Sequence, residues 1–358
     1  MTTDEGRVAR LEALVSEREL DALLITDLIN VRYATGFTGS AGAAVIGPDV
    51  RLFVTDFRYL TQSAHEVTDF HREIARSDLL VGVAATLPDR PLRLGFDDAH
   101  LSVRSHAHLA ELVGSEVSLV AAGGLVEELR AIKDAAEIEQ VRAAAQLADA
   151  ALEIVLERGL VGRTEREVAL DIEIEQRRLG AEAASFAPIV AFGPHGALPH
   201  ASPRDEVIPA GTLVVIDWGC QLDGYCSDCT RTFATGALDV RDRAIYDLVL
   251  EAQEAALEAV MPGPTGRAVD AVAREIIEAA GHGEHFGHGL GHGVGLDVHE
   301  GPRLSTTGET ALKAGMIVTV EPGVYVPGAV GTRIEDLVAV TENGHEVLST
   351  LPKELRVV

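Results

Sequence analysis

From Gly287 to Gly295 glycine recurs at every second position, within Phe286-Gly-His-Gly-Leu-Gly-His-Gly-Val-Gly-Leu-Asp-Val-His-Glu300. That density excludes a helix, since each glycine forfeits about 1 kcal/mol of helical stability. Backbone stripped of side chains in this way is packed tightly around something. His288 and His292 share parity, so an extended chain turns both to one side. The spacing is not Gly-x-Gly-x-x-Gly and no phosphate-loop lysine follows, which sets a nucleotide cradle aside. Nor is it His-Glu-x-x-His, because after His299-Glu300 the chain runs Gly-Pro-Arg. Taken alone, a surface tract that binds metal casually reads the same way.

A second feature is Asp217-Trp-Gly-Cys-Gln-Leu-Asp-Gly-Tyr-Cys-Ser-Asp228. Asp223-Gly224 between strand-like runs predicts a two-residue type I′ hairpin turn. Pairing Leu222 with Tyr225 puts Asp228 opposite Gly219, which shares a face with Asp217. The two carboxylates then project as diagonal neighbours, roughly 7–8 Å apart at the backbone. Buried together they demand a cation; solvated turn aspartates are the alternative. Asp223 serves only the turn. Glu321 closes the strand Met316–Glu321 at Pro322-Gly323, and Glu335 lies in the apolar run Thr332–Val340. A carboxylate buried there needs a partner, either a metal or Arg333 two residues away on the same face.

The 358 residues exceed what one core holds comfortably and suit two domains. A net charge of −26 repels nucleic acid and anionic membranes, so neither is expected as a partner. The apolar stretch Leu79–Leu87 is about half the length of a membrane span. Three cysteines make no disulfide framework and suit a reducing cytoplasm. The opening Met1-Thr-Thr-Asp-Glu5 lacks the regions of an export signal, so a cytoplasmic location is expected. The first third alternates strands (Leu23–Ile25, Ala43–Ile46, Arg51–Val54) with helices (Glu5–Leu20, Ser105–Val113), a small α/β unit.

Near Ala121-Ala-Gly-Gly124 the texture changes, and a domain boundary is expected around residues 123–130. Ile138, Val141, Ala145, Ala148, Leu152 and Val155 step along one helical face. Thr164 and Glu167 form a capping box for the next helix, which stops at Gly180. Strands Thr212–Cys220 and Tyr225–Phe233 follow, then helices Arg243–Val260 and Arg267–Ala280, then strands again. That order is α+β.

Asp217, Asp228, His292, Glu321 and Glu335 lie in the contexts Asp-Trp-Gly, Tyr-Cys-Ser-Asp-Cys-Thr-Arg-Thr-Phe, Gly-His-Gly-Val-Gly-Leu-Asp-Val-His-Glu, Glu-Pro-Gly and Arg-Ile-Glu-Asp. In this order and spacing they resemble the metal set of the creatinase/methionine aminopeptidase superfamily. The Xaa-Pro peptidase branch, aminopeptidase P and prolidase, is the most similar. The resemblance extends to Gly193-Pro-His-Gly-Ala-Leu-Pro-His200, Glu128–Asp134, Asn30–Tyr33 and Thr55–Tyr59.

It implies a creatinase-like α/β domain over residues 1–126 and a pita-bread catalytic domain over 127–358. It also implies a homodimer and two divalent ions. Four carboxylates and one imidazole favour Mn²⁺, with Co²⁺ or Zn²⁺ as alternatives. By the same resemblance Asp228 and Glu335 bridge the ions, Asp217 chelates one, and His292 with Glu321 completes the other. Glu321 also moves the proton of the attacking water. His200 and His299 hydrogen-bond the substrate carbonyl and the oxyanion, and His288 lies against the proline pocket. Arg333 orients a ligating carboxylate, and Arg303 is a candidate for a dipeptide's C-terminal carboxylate.

The expected activity is an Xaa-Pro aminopeptidase acting on short proline-containing peptides, with an Xaa-Pro dipeptidase as the alternative. A complete ligand set argues against the metal-free creatinase reaction and against a non-catalytic peptide-binding member. Cys220, Cys226 and Cys229 are read as small packing residues, because Cys226 and Cys229 fall on opposite faces. His195, His282, His285 and His345 receive no role and are expected to be exposed.

Overall fold

Four consecutive apolar residues, Ala22–Ile25, form a strand buried along its whole length. The computed structural model, which describes residues 4–358, places it inside a six-stranded sheet. It pairs antiparallel with Gly42–Gly47 and parallel with Leu92–Phe96; Val50–Asp56, His71–Ala75 and Val117–Ala121 extend the sheet outward. Leu24, Val45, Val54, Leu94 and Leu109 fill its core. The apolar stretch after Asp78 is the helix Leu79–Thr86, started by the Asp78 carboxylate accepting from the Leu80 amide. This unit ends at Arg130. No helix among the described residues is long and apolar enough to cross a membrane.

The second unit, Ala131–Val358, opens on two capping boxes. Asp134 with Glu137 starts the helix Ala135–Glu157, and Thr164 with Glu167 starts Glu165–Leu179. Val141, Ala145, Ala148, Leu152 and Val155 make a buried stripe, whereas Ile138 is half-buried. The stripe meets Val168 and Ile172 of the second helix and Val190, Ile216 and Trp218 of a three-stranded sheet. The helices Val240–Glu258 and Gly266–Ala279 back another core with Val318, Ile334 and Val338. The ladders between this unit's strands are antiparallel. The architecture is α+β.

Asp223 and Gly224, at φ 48° and 82°, form the two left-handed positions of a type I′ turn. The expected register runs through the hairpin: Leu222 faces Tyr225, and Asp217 faces Thr230. Its strands are interrupted, however. Gly219 separates Leu213–Trp218 from Cys220–Leu222, and Ser227-Asp228 separates Tyr225–Cys226 from Cys229–Ala234. A Cβ at Gly219 would lie 2.0 Å from the Ser227 carbonyl oxygen, so the close approach requires glycine.

The run Thr332–Val340, expected as one strand, is two. Val330–Arg333 pairs with Gly323–Val326, whereas Asp336–Thr341 pairs with Ile317–Val320. Ile334 and Glu335 form the corner, and the Glu335 amide donates to the Thr230 carbonyl at 3.0 Å. The corner frees the Glu335 carboxylate from strand alternation.

Candidate active site

Asp217 near the end of one strand, Asp228 in the hairpin's gap and Glu335 at the corner converge. Their carboxylate oxygens lie within 4.8 Å of one another, and all three residues are buried. His292, in the strand Gly291–Gly293, points Nε2 at Glu321 Oε1 (3.3 Å) and at Asp228 Oδ2 (3.6 Å). Asp228 thus belongs to both groups. Close packing explains the glycine beside His292: a Cβ at Gly291 would lie 2.0 Å from the Thr319 carbonyl oxygen. The five residues line a cavity of about 490 Å³ together with His200, His288, His299, Arg303 and Arg333. All the residues singled out from the sequence as ligating, catalytic or binding are therefore together. Phe186, Ile189 and Ser305 also line it.

Crowded negative charge dominates the electrostatics. Burial, then the Glu335 and Asp217 carboxylates, push Asp228 well above the usual carboxylate range. Glu335 is raised by burial and by Glu321 and Asp217. Asp217 is raised by burial, with the Arg333 guanidinium opposing. Glu321 goes the other way: burial raises it, but the hydrogen bond and charge of His292 bring it down to about 2.

Asp217 Oδ1 and Glu335 Oε1 are buried and accept no hydrogen bond among the described residues. The carbonyl of Gly293 can only accept, so His292 Nδ1 at 3.1 Å carries the proton. Nε2 faces two carboxylates, and with a cation between them it would turn a lone pair to that cation in place of a proton. The donor set fits divalent cations.

A second layer holds these groups. Arg333 donates to Asp217 Oδ2 (2.5 Å), Tyr325 Oη (2.9 Å), Thr230 Oγ1 (3.0 Å) and the Pro199 carbonyl (3.1 Å). Thr230 donates in turn to Glu335 Oε2 at 2.7 Å. Thr319 Oγ1 accepts from the His292 amide and donates to Glu321 Oε1. The Arg333–Glu335 pair allowed by the sequence does not form; Thr230 stands between them.

His288 donates from Nδ1 to the Gly289 carbonyl, which leaves Nε2 to accept from the Tyr325 hydroxyl at 2.9 Å. Both ring nitrogens are engaged. Thr230, Thr319 and Tyr325 were not singled out from the sequence. Thr230 shares the parity of Asp228 and falls opposite Asp217 in the hairpin register, which was its signal.

His195 corrects an expectation. It is buried, with Nδ1 2.9 Å from both oxygens of Glu165. His282, His285 and His345 are half-buried, not exposed; the first two pair through Nδ1 at 3.0 Å, and His345 Nδ1 lies 3.1 Å from the Val260 carbonyl. Cys220, Cys226 and Cys229 are buried free thiols, and Cys220 Sγ donates to the Ala144 carbonyl.

Residues 139–342 match the family model for metallopeptidase family M24, and residues 7–132 match the creatinase/prolidase N-terminal domain. An Xaa-Pro dipeptidase from Bacillus anthracis is 39% identical, with a TM-score of 0.96 over 99% of this chain and 100% of that one. An Xaa-Pro dipeptidase of Pyrococcus furiosus is 36% identical over 98% of this chain and 99% of its own length. An X-Pro aminopeptidase from Thermotoga maritima is 36% identical, with a TM-score of 0.90 over 98% and 100% of the two chains. With its creatinase-like N-terminal domain, its pita-bread domain and its carboxylate-rich centre, this chain belongs to metallopeptidase family M24.

Proposed function

We propose that the chain is an Xaa-Pro dipeptidase, hydrolysing the bond between a free first residue and a following proline. The observation that carries this reading is Arg303. It is exposed, it lines the cavity, and nothing among the described residues pairs with its guanidinium. Its backbone pairs with that of His292. A dipeptide's C-terminal carboxylate would meet an unpaired cation there, and the dipeptidase relatives support the same choice. This reverses the order of preference drawn from the sequence. The aminopeptidase reading stays second, supported by the Thermotoga relative. A cavity of about 490 Å³ suits a small ligand in either case.

Asp217, Asp228, His292, Glu321 and Glu335 would hold two divalent ions. When bound, such ions polarise the scissile carbonyl and make water a stronger acid. The oxygen-rich donor set favours Mn²⁺ over Co²⁺ or Zn²⁺. Glu321 accepts the attacking water's proton and delivers it to the proline nitrogen, which leaves as a secondary amine. His200 and His299 donate to the carbonyl oxygen as it gains negative charge. His288, with both nitrogens engaged, presents its ring to the proline. Proline has no N–H, so no donor is stranded against that wall. A homodimer in a reducing cytoplasm completes the reading; the three buried free thiols accord with that compartment.

The test is hydrolysis of Ala-Pro beside Ala-Pro-Ala in Mn²⁺, by the native enzyme and by Arg303→Met. Ala-Pro should be cut at least about tenfold faster. Losing one charged hydrogen bond should raise KM for Ala-Pro about 10–100-fold with metal content unchanged. Equal cleavage of both peptides would make the enzyme an aminopeptidase.

A further inference from the structure

Glu165 is wholly buried at the first position of the helix Glu165–Leu179, and the reaction above does not use it. Its carboxylate gathers donors from the one segment, residues 192–204, that carries His200. The Phe192 amide reaches Oε1 at 3.1 Å and the Arg204 amide reaches Oε2 at 2.9 Å. His195 Nδ1 lies 2.9 Å from both oxygens, and Arg204 Nε adds a longer contact at 3.4 Å. The amides come from opposite ends of the segment, and the imidazole from between them.

His200 is exposed, and its ring makes no hydrogen bond among the described residues. Its place in the cavity is therefore set by its backbone. Pro199, just before it, is tied through its carbonyl to Arg333 at 3.1 Å. Beyond that tie, Phe192 pairs with Val214 in the sheet and the Arg204 carbonyl accepts from the Arg166 amide at 3.2 Å. Among the described residues, Glu165 is the one side chain that gathers donors from both ends of the segment. A buried carboxylate is costly unless its lone pairs are filled. Here the side-chain partners all come from residues 192–204, so the burial of Glu165 and the shape of the segment depend on each other.

We propose that Glu165 is a positioning residue that fixes where His200 stands, by clamping His195 and both ends of residues 192–204. This rests on the role given to His200 under the dipeptidase reading. A shift of about 1 Å at a reacting group costs about 10²-fold in rate, so a clamp on the segment is a clamp on catalysis.

The experiment is Glu165→Gln in the metal-loaded full chain, read in two ways. Gln keeps one acceptor but turns an NH₂ group toward N–H donors. Hydrogen exchange should quicken about tenfold for amides of residues 193–203, while the helix Gly266–Ala279 and the metal content stay as in the native protein. In parallel, kcat for Ala-Pro should fall about 10–100-fold with KM little changed. In a His200→Ala background the same substitution should cost less than about twofold, because its effect runs through His200.

Unchanged exchange over 193–203, or an equal fall in both backgrounds, overturns the proposal. If Glu165→Gln does not fold, His195→Phe removes one donor, keeps the carboxylate, and is read by the same two criteria. If the native enzyme leaves Ala-Pro intact, the dipeptidase reading fails and exchange alone decides. Quickening confined to 193–203 upholds the clamp, and unchanged exchange overturns it.

Discussion

Arg333 and Glu335 stand two residues apart, yet Thr230 joins them: its hydroxyl accepts from Arg333 Nε at 3.0 Å and donates to Glu335 Oε2 at 2.7 Å. The guanidinium is left to reach Asp217 Oδ2 at 2.5 Å. One hydroxyl thus links two carboxylates of the candidate metal centre. Thr230→Val keeps the shape and removes both bonds. Metal affinity should fall about 10–100-fold, the usual cost of losing a group that orients a ligand. Calorimetric titration of the apo-protein checks it, and unchanged affinity would show that the hydroxyl is incidental.

The histidines should separate by metal content. His292 faces Asp228 and Glu321, so His292→Ala should lose one metal equivalent. His200 and His299 are exposed in the same cavity. Their alanine variants should keep most metal and lose kcat about 10²-fold or more, the effect of removing an oxyanion donor. Elemental analysis beside kinetics decides, and equal metal content in all three variants contradicts the division.

Arg231 secures the Glu335 corner from behind. Wholly buried, it donates to the Glu335 carbonyl, to Asp336 Oδ1 at 2.8 Å and to the Leu351 carbonyl at 2.6 Å. Arg231→Met strands Asp336 in the core with less compensation and should destabilise this unit by about 3–5 kcal/mol. Trp218, the single tryptophan, is buried in the same unit. Its fluorescence in urea reports the shift of midpoint directly.

The thiols should be inert. Burial pushes Cys220 up to about 11, which leaves about one part in a thousand as thiolate at pH 8. Because the acid form is favoured, reactivity should rise with pH only above the range where ordinary thiols ionise. A thiol reagent at pH 8 should label none of the three buried cysteines in the folded protein and all three in guanidinium. Rapid labelling of the native chain would contradict this.

Local chemistry explains what was legible in the sequence. The Asp223-Gly224 turn fixes hairpin register, so the juxtaposition of Asp217 and Asp228 follows from counting residues. Glycines in alternation exclude a helix, and the capping box at Thr164 marks its own helix. The corner at Ile334-Glu335 was not legible. An apolar run reads as one strand, and the break depends on Thr230, 105 residues away. His195 was misjudged for the same reason: its partner Glu165 lies 30 residues upstream, and a histidine among glycine and proline reads as surface. Thr230 and Thr319 look like ordinary strand formers until their hydroxyls are seen beside carboxylates.

The central claim is that Asp217, Asp228, His292, Glu321 and Glu335 hold two divalent ions that the chain needs to cleave Xaa-Pro. Its most direct test is a titration of chelator-stripped protein with Mn²⁺ while Ala-Pro hydrolysis is followed. The rate should be nil without metal, should rise to saturation at about two equivalents, and should vanish for N-acetylated Ala-Pro. Full turnover in excess chelator, or saturation with no metal bound, would contradict the account.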